Sequence, residues 1–224
     1  MWSFQVVEPM NPVARLVILI SGSGSNLQAF IDAIADSSLK ADIACVISNK
    51  PGVFGLQRAE QARIPTRTLE HSTFTTREAY DAALLAIVQE YSPDLVILAG
   101  FMRILTPVFV EPLYGKLVNI HPSLLPKYPG LHTHQRALEA GDSEAGATVH
   151  FVSSELDAGP GIVQAVVPVL AGDDADTLAK RVLAQEHVIY PLVARWFCEG
   201  RLRCDATSAY LNDEKLPAYG RRLA

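Results

Sequence analysis

From Arg15 onward, short apolar runs rich in β-branched residues alternate with longer stretches whose apolar positions recur at helical spacing. Leu16 to Ile20 and Ile43 to Ile47 are continuous apolar runs, the pattern of strands buried on both faces. Leu27 to Ala35 and Val53 to Arg63 read as helices between and after them. Thr66 to Leu69 is a short third strand candidate, Thr76 to Glu90 sets Tyr80, Leu84 and Ile87 on one helical face, and Leu95 to Ala99 is a fourth strand. This alternation predicts parallel β-α-β units with helices on both faces of a sheet.

The rhythm then changes. Leu117 to Ile120 reads as a strand, followed by a loop carrying Pro122, Pro126, Pro129 and Gly130, then a short helix through Ala137 to Ala140. Thr148 to Val152 and Ile162 to Val169 are β-rich runs that can pair antiparallel across a turn containing Gly and Pro. A last strong helix starts near Asp173, with Asp174 and Asp176 at its positive end, and continues toward Phe197 despite Pro191. The expected fold is α/β: a Rossmann-like N-terminal parallel sheet flanked by helices, continuing into a mixed sheet with antiparallel strands. No repeat or low-complexity linker interrupts it, so residues 1–224 are expected as one domain, with 1–14 an N-terminal extension and 204–224 a peripheral C-terminal tail.

Composition narrows the classes. In 224 residues an apolar share of 49% is enough to fill a sizeable core. A formal net charge of -5, with no block of Lys or Arg, argues against nucleic acid as a partner. Met1 to Arg15 lacks the basic flank and uninterrupted apolar stretch of a signal peptide, and no run is long enough to span a bilayer, so no membrane partner is expected. Cys45, Cys198 and Cys204 are odd in number and form no C-x-x-C pair, which argues against a disulfide framework or zinc ribbon and for a cytoplasmic location.

Two places carry candidate chemistry. Ser21-Gly22-Ser23-Gly24-Ser25-Asn26 follows the first strand and opens the first helix, where glycines permit a tight turn and free N–H groups attract an anion. The third glycine of a dinucleotide fingerprint is replaced by Leu27, and the second strand ends in Ser48-Asn49 with no acidic residue for a ribose. A phosphorylated substrate fits better than a dinucleotide, although a serine-capped turn accounts for the same residues. Further on, Asn119 and His121 stand two apart, so an extended chain points both to one side. An amide can donate to a developing oxyanion, and an imidazole can donate to it or move a proton. Asp157, before the turn Ala158 to Gly161, could hold a carboxylate near His121 and favour its imidazolium form. No nucleophile elbow is present, so direct attack by a substrate amine is expected rather than a covalent enzyme intermediate. Spacing alone leaves catalysis and a structural hydrogen-bonding role equally open.

The longer motifs say more. VNIHPSLLPKYPGLHTHQRALEAG (Val118 to Gly141), preceded by LAGFMRIL (Leu98 to Leu105) and followed by GATVHFV and LDAGP, closely resembles the phosphoribosylglycinamide formyltransferase family. SGSGSNLQ near the start and QEHVIYP (Gln185 to Pro191) extend the resemblance over Arg15 to Arg203. It implies transfer of formyl from 10-formyltetrahydrofolate, a co-substrate, to the primary amine of glycinamide ribonucleotide in purine synthesis. It places Asn119, His121 and Asp157 on the family's catalytic residues. Gly24, Ser25 and Asn26 fall on the substrate-phosphate loop, and Glu186 on the acid that contacts the ribose. Met102, Arg103, Ile104 and Leu105, together with Asn119, fall on the folate side, and Arg77 on an arginine assigned to cofactor binding. No metal is implied, and a monomer or a homodimer would serve. The chain departs from the family in the extension before Arg15, and in Gly161, where a larger apolar residue is usual and glycine is expected to loosen the strand after Asp157.

Other readings remain on the table. His132-Thr133-His134, with His121 and His150, resembles a metal cluster but lacks acidic or cysteine ligands at familiar spacing. Pro122 to Gly130 could be a mobile lid. A formate-releasing hydrolase would want an extra N-terminal regulatory domain, and a formylase of charged tRNA a basic C-terminal one. The chain has room for neither. A non-catalytic binding protein would need the loop at Gly24 to Asn26 and the wall at Met102 to Leu105, but not all three catalytic positions.

Overall fold

The computed structural model describes residues 13–223. Along the first half run β1 (Ala14–Ile20), α1 (Ser25–Ala35), β2 (Ala41–Ser48), α2 (Phe54–Gln61), β3 (Thr66–Thr68), α3 (Arg77–Glu90), β4 (Leu95–Leu98), α4 (Pro107–Val110) and β5 (Leu117–His121). The second half contributes α5 (Thr133–Glu139), β6 (Glu144–Phe151), β7 (Gly161–Pro168), α6 (Ala175–Cys198), β8 (Leu202–Cys204), β9 (Ala209–Leu211), β10 (Glu214–Lys215) and β11 (Tyr219–Leu223). Among the described residues eight strands form one sheet in the order β11-β7-β6-β5-β4-β1-β2-β3. Strands β3, β2, β1, β4 and β5 are mutually parallel, β6 runs against β5 and β7, and β11 runs parallel to β7. The expected parallel sheet and antiparallel continuation are both present.

Continuous apolar strands follow from two covered faces. Leu16, Ile18 and Ile20 of β1 enter a core with α1, α2 and α6, whereas Val17 and Leu19 enter a second core with α3 and α4. On β6 and β7 only one face meets α6, through Ala147, Val149, Phe151 and Val163, leaving Thr148, His150 and Gln164 for polar work on the other. Helix α6 begins where the acidic cluster predicted, with Asp174 accepting the Thr177 N–H at 2.7 Å, and runs through Pro191. The Tyr190 hydroxyl, fully buried, lies 2.9 Å from the Leu98 carbonyl and 3.1 Å from that of Val118, tying α6 beneath the ends of β4 and β5.

Three features differ from expectation. Helix α5 starts earlier, at Thr133, directly after His132 in a left-handed conformation. The segment expected as a peripheral tail supplies β9 and β10, which join β8 in a small sheet, and then β11, and Leu211 and Leu216 within it are buried. Gly161 does not loosen its strand. Its N–H donates to the Ala218 carbonyl, and a Cβ there would lie 2.1 Å from the carbonyl carbon of Tyr219, so glycine is what lets β11 close against β7. Up to residue 12 the N-terminal extension lies outside the described residues, and Ala14 already opens β1.

Candidate active site

The loop after β1 is shaped by close backbone packing. Gly24 adopts φ 70°, and a Cβ on it would stand 2.6 Å from the Gly55 Cα. Gly55 at the start of α2 donates its N–H to the Gly22 carbonyl at 3.0 Å. From the next turn of α2, Arg58 donates to the Ser23 carbonyl at 2.9 Å and to Gln28 Oε1 at 3.0 Å, with its guanidinium 4.6 Å from the Phe54 ring centre. The loop therefore presents the N-terminus of α1, with a cation fixed beside it, a combination suited to an anion. Ser25, Gln28, Arg58 and His187 line an open groove of about 640 Å³ there. Asn26 is buried and donates from Nδ2 to Glu186 Oε2 on α6 at 2.8 Å. Burial pushes the Glu186 carboxyl up, and the Asn26 bond partly opposes this.

The second centre forms on β5. Val118 and Ile120 enter the α6-side core, so Asn119 and His121 face the α3 side. Asn119 pairs in register with His150 on β6, and its Nδ2 lies 3.3 Å from His150 Nε2. His150 Nδ1 lies 2.9 Å from the Phe151 carbonyl, an acceptor only, so Nδ1 carries the proton and Nε2 accepts from Asn119. Burial lowers the His150 pKa, which disfavours the imidazolium form. The second amide proton of Asn119 is left for another acceptor.

His121 is placed between two oxygens. Its Nε2 donates to the Tyr128 carbonyl at 2.8 Å, and its Nδ1 stands 3.5 Å from Asp157 Oδ2, both side chains being 7% exposed. With Nε2 committed to a carbonyl, Nδ1 faces the carboxylate favourably only when a proton lies between them. Asp157, itself at φ 51°, also accepts the Gly130 N–H at 2.9 Å. The loop from Pro122 to Gly130 thus ends on both reactive groups. Its beginning is held by Thr148, which donates to the Ser123 carbonyl and accepts from Leu125, and by Gln164, which donates to the Leu125 carbonyl.

Asn119, His121 and Asp157 share a cavity of about 560 Å³ with Met102, Arg103, Ile104 and Leu105. Met102 and Ile104 are exposed at its mouth, and Leu131 and Leu156 add apolar surface. A volume of this size with one polar wall and one apolar wall suits a flat organic ligand. Arg77 is turned to the backbone of this segment, bonding the Ile104 carbonyl, and Arg103 stacks 4.4 Å over the ring of Tyr80. His132 lines the cavity, while the His134 pKa is lowered by burial outside it. Among the described residues no group of three His, Cys, Asp or Glu is placed to hold a metal ion, and no helix is long and apolar enough to cross a membrane.

From the sequence, Arg58 and Asp81 are not singled out, Ser21 enters only as the first residue of the candidate anion loop, Tyr128 only within the long motif after His121, and His150 only in a motif and as a possible metal ligand. The alternation of β6 was a usable signal for His150, since a histidine opposite Asn119 on an antiparallel partner must share its face. Arg58 and Asp81 lay in helices whose polar positions look like ordinary solvated faces.

An α/β sheet with an anion loop at one strand end and an amide, imidazole and carboxylate beside an apolar cavity defines a group transferase, and residues 14–194 match the formyl transferase family, to which the chain belongs. The phosphoribosylglycinamide formyltransferase of Escherichia coli (strain K12) is 57% identical over 206 residues, 92% of this chain and 97% of that protein. The Haemophilus influenzae protein of the same name is 49% identical over the same shares. The solved structure of the phosphoribosylglycinamide formyltransferase from Coxiella burnetii matches with a TM-score of 0.91 at 46% identity, covering 94% of this chain and 99% of that one. The resemblance read from the motifs holds: this is an enzyme of the phosphoribosylglycinamide formyltransferase kind, and its chemistry is formyl transfer in purine biosynthesis.

Proposed function

We propose that the enzyme transfers the formyl group of 10-formyltetrahydrofolate to the primary amine of glycinamide ribonucleotide, by direct amine attack through a tetrahedral intermediate. The observation that carries this reading is the convergence of Asn119, His121 and Asp157 on the polar wall of a cavity whose other wall is Met102 to Leu105. The apolar wall fits the flat ring system of the folate, and Asn119 reaches the formyl group it carries. The ribonucleotide's phosphate fits Gly24, Ser25 and Asn26 at the start of α1, and its ribose fits Glu186, which Asn26 fixes beside the loop. The names of the three relatives, all phosphoribosylglycinamide formyltransferases, support the same substrate.

The residues divide the work by their hydrogen-bonding capacity. As the amine lone pair bonds the formyl carbon, the carbonyl electrons move onto oxygen, where Asn119 Nδ2 and a His121 N–H can donate. Asp157 holds a proton on His121 Nδ1, so the ring retains a donor for the oxygen at its other nitrogen. When the carbonyl re-forms, the bond from carbon to the folate nitrogen breaks, that nitrogen keeps the electron pair and takes a proton, and the amine nitrogen loses one. Because the Tyr128 carbonyl occupies the His121 Nε2 proton, ligand entry must exchange Tyr128 for a substrate oxygen, which makes Pro122 to Gly130 a lid. The free cysteines Cys45, Cys198 and Cys204 support a reduced, cytoplasmic setting. Incubating the enzyme with both substrates and identifying the product by mass spectrometry tests the reading. One formyl group on the ribonucleotide amine and deformylated folate are expected, and an unmodified amine contradicts it.

A further inference from the structure

The segment Met102 to Leu105 lies outside helix and strand, so its backbone polar groups depend on partners elsewhere. Side chains answer at three points. Met102 N–H donates to Ser21 Oγ at 2.8 Å, the Ile104 carbonyl accepts from Arg77, and the Thr106 N–H just beyond the segment donates to Asp81 Oδ2 at 2.6 Å. The two ends are held from inside the protein: Ser21 is 6% exposed and Asp81 1%. We infer that Ser21 and Asp81 are positioning residues that set the wall against which the formyl donor binds, an inference that rests on the folate reading of that wall.

Donor and acceptor arithmetic makes the Ser21 link directional. Asn49 Oδ1 is an acceptor only and lies 2.6 Å from Ser21 Oγ, so the single hydroxyl proton goes to Asn49 and the lone pairs face Met102 N–H. Asn49, at the end of β2, is itself buried. The link also places Ser21 between two sites, because Ser21 is the first residue of the anion loop that continues through Gly22 to Asn26. The wall is thereby registered to that loop through one side chain.

Asp81 has a different signature. A carboxylate sunk in the α3-side core is costly unless it is well partnered, yet its Oδ1 has no partner. Tyr80 Oη, Thr106 Oγ1 and Arg103 Nε are also buried without one, and burial pushes the Tyr80 hydroxyl up to about 12. Four unmatched polar atoms lie on residues that bound the wall. A core filler at position 81 would avoid the cost, whereas fixing Thr106 and the chain before it requires an acceptor there.

The test separates the two substrates. Ser21→Ala and Asp81→Leu remove the acceptors, and Asp81→Asn keeps an oxygen for Thr106 N–H. For the first two, the KM for the formylated folate should rise about tenfold or more, with the KM for the ribonucleotide amine changing less than about twofold. Asp81→Asn should recover most of the loss. Amide hydrogen exchange in the intact enzyme gives a second readout, with faster exchange at Met102 in Ser21→Ala, and it applies even if Asp81→Leu does not fold. Calorimetric binding of formylated folate to the wild type separates the failures: no binding overturns the folate reading itself. If the wild type binds and both acceptor-less variants keep its folate KM, or lose both substrates equally, the positioning role is overturned.

Discussion

Asn26 Nδ2 donates to Glu186 Oε2 at 2.8 Å, and this bond joins the loop after β1 to the middle of α6 across 160 positions of sequence. It gives the phosphate loop a fixed partner on the far side of the proposed ribose. Burial raises the Glu186 pKa, so the fold favours its protonated form. The sign follows: below the ordinary carboxylate range the group carries no penalty, and stability is lost as pH rises through the raised folded value. Glu186→Gln keeps the side chain neutral. Its melting temperature should match the wild type in acid and exceed it near neutral pH by about 2–4 °C, while the KM for the ribonucleotide rises about tenfold. Parallel melts across pH check this, and a difference independent of pH counts against it.

Asp157 and His121 make the strongest catalytic prediction. Asparagine at 157 can still accept the Gly130 N–H, but it carries no charge to hold a proton on His121 Nδ1. Asp157→Asn and His121→Ala should each lower kcat by about a hundredfold or more with the circular dichroism spectrum unchanged. Near-normal turnover in either variant removes that residue from the mechanism.

Arg58 braces the anion loop through the Ser23 carbonyl and Gln28. Methionine preserves much of the apolar stem over Phe54 and removes the donors and the charge. Arg58→Met should raise the KM for glycinamide ribonucleotide about tenfold and leave turnover of the dephosphorylated amine unchanged. Equal losses with both amines would show that Arg58 supports the fold rather than the phosphate.

Much of this site was legible because local pattern and function coincide. Leu16 to Ile20 followed by Gly22 and Gly24 is a buried strand running into a turn that needs left-handed backbone, and both facts are visible in sequence. The two-residue spacing of Asn119 and His121 likewise survives intact on β5. The bonds that fix the site were not legible, because Asn26 to Glu186, Ser21 to Met102 and Asp81 to Thr106 each join distant segments. Nor were the C-terminal strands, which at two to five residues are too short to show a period, and of which β11 reaches its place beside β7 only because Gly161 has no side chain.

The loop from Pro122 to Gly130 touches both reactive groups through Tyr128 and Gly130, so occupied and empty sites should hold it differently. Limited proteolysis should cut within the loop at different rates with no ligand and with both substrates' unreactive analogues bound. Unchanged cleavage would contradict a lid.

The central claim is that the formyl group leaves the folate only for the amine. The rate of folate deformylation, followed with and without glycinamide ribonucleotide, tests it most directly. The account predicts turnover that depends on the amine and yields one formylated ribonucleotide per folate consumed. Formate release at the same rate without the amine would instead describe a hydrolase, and no deformylation under either condition a binding protein.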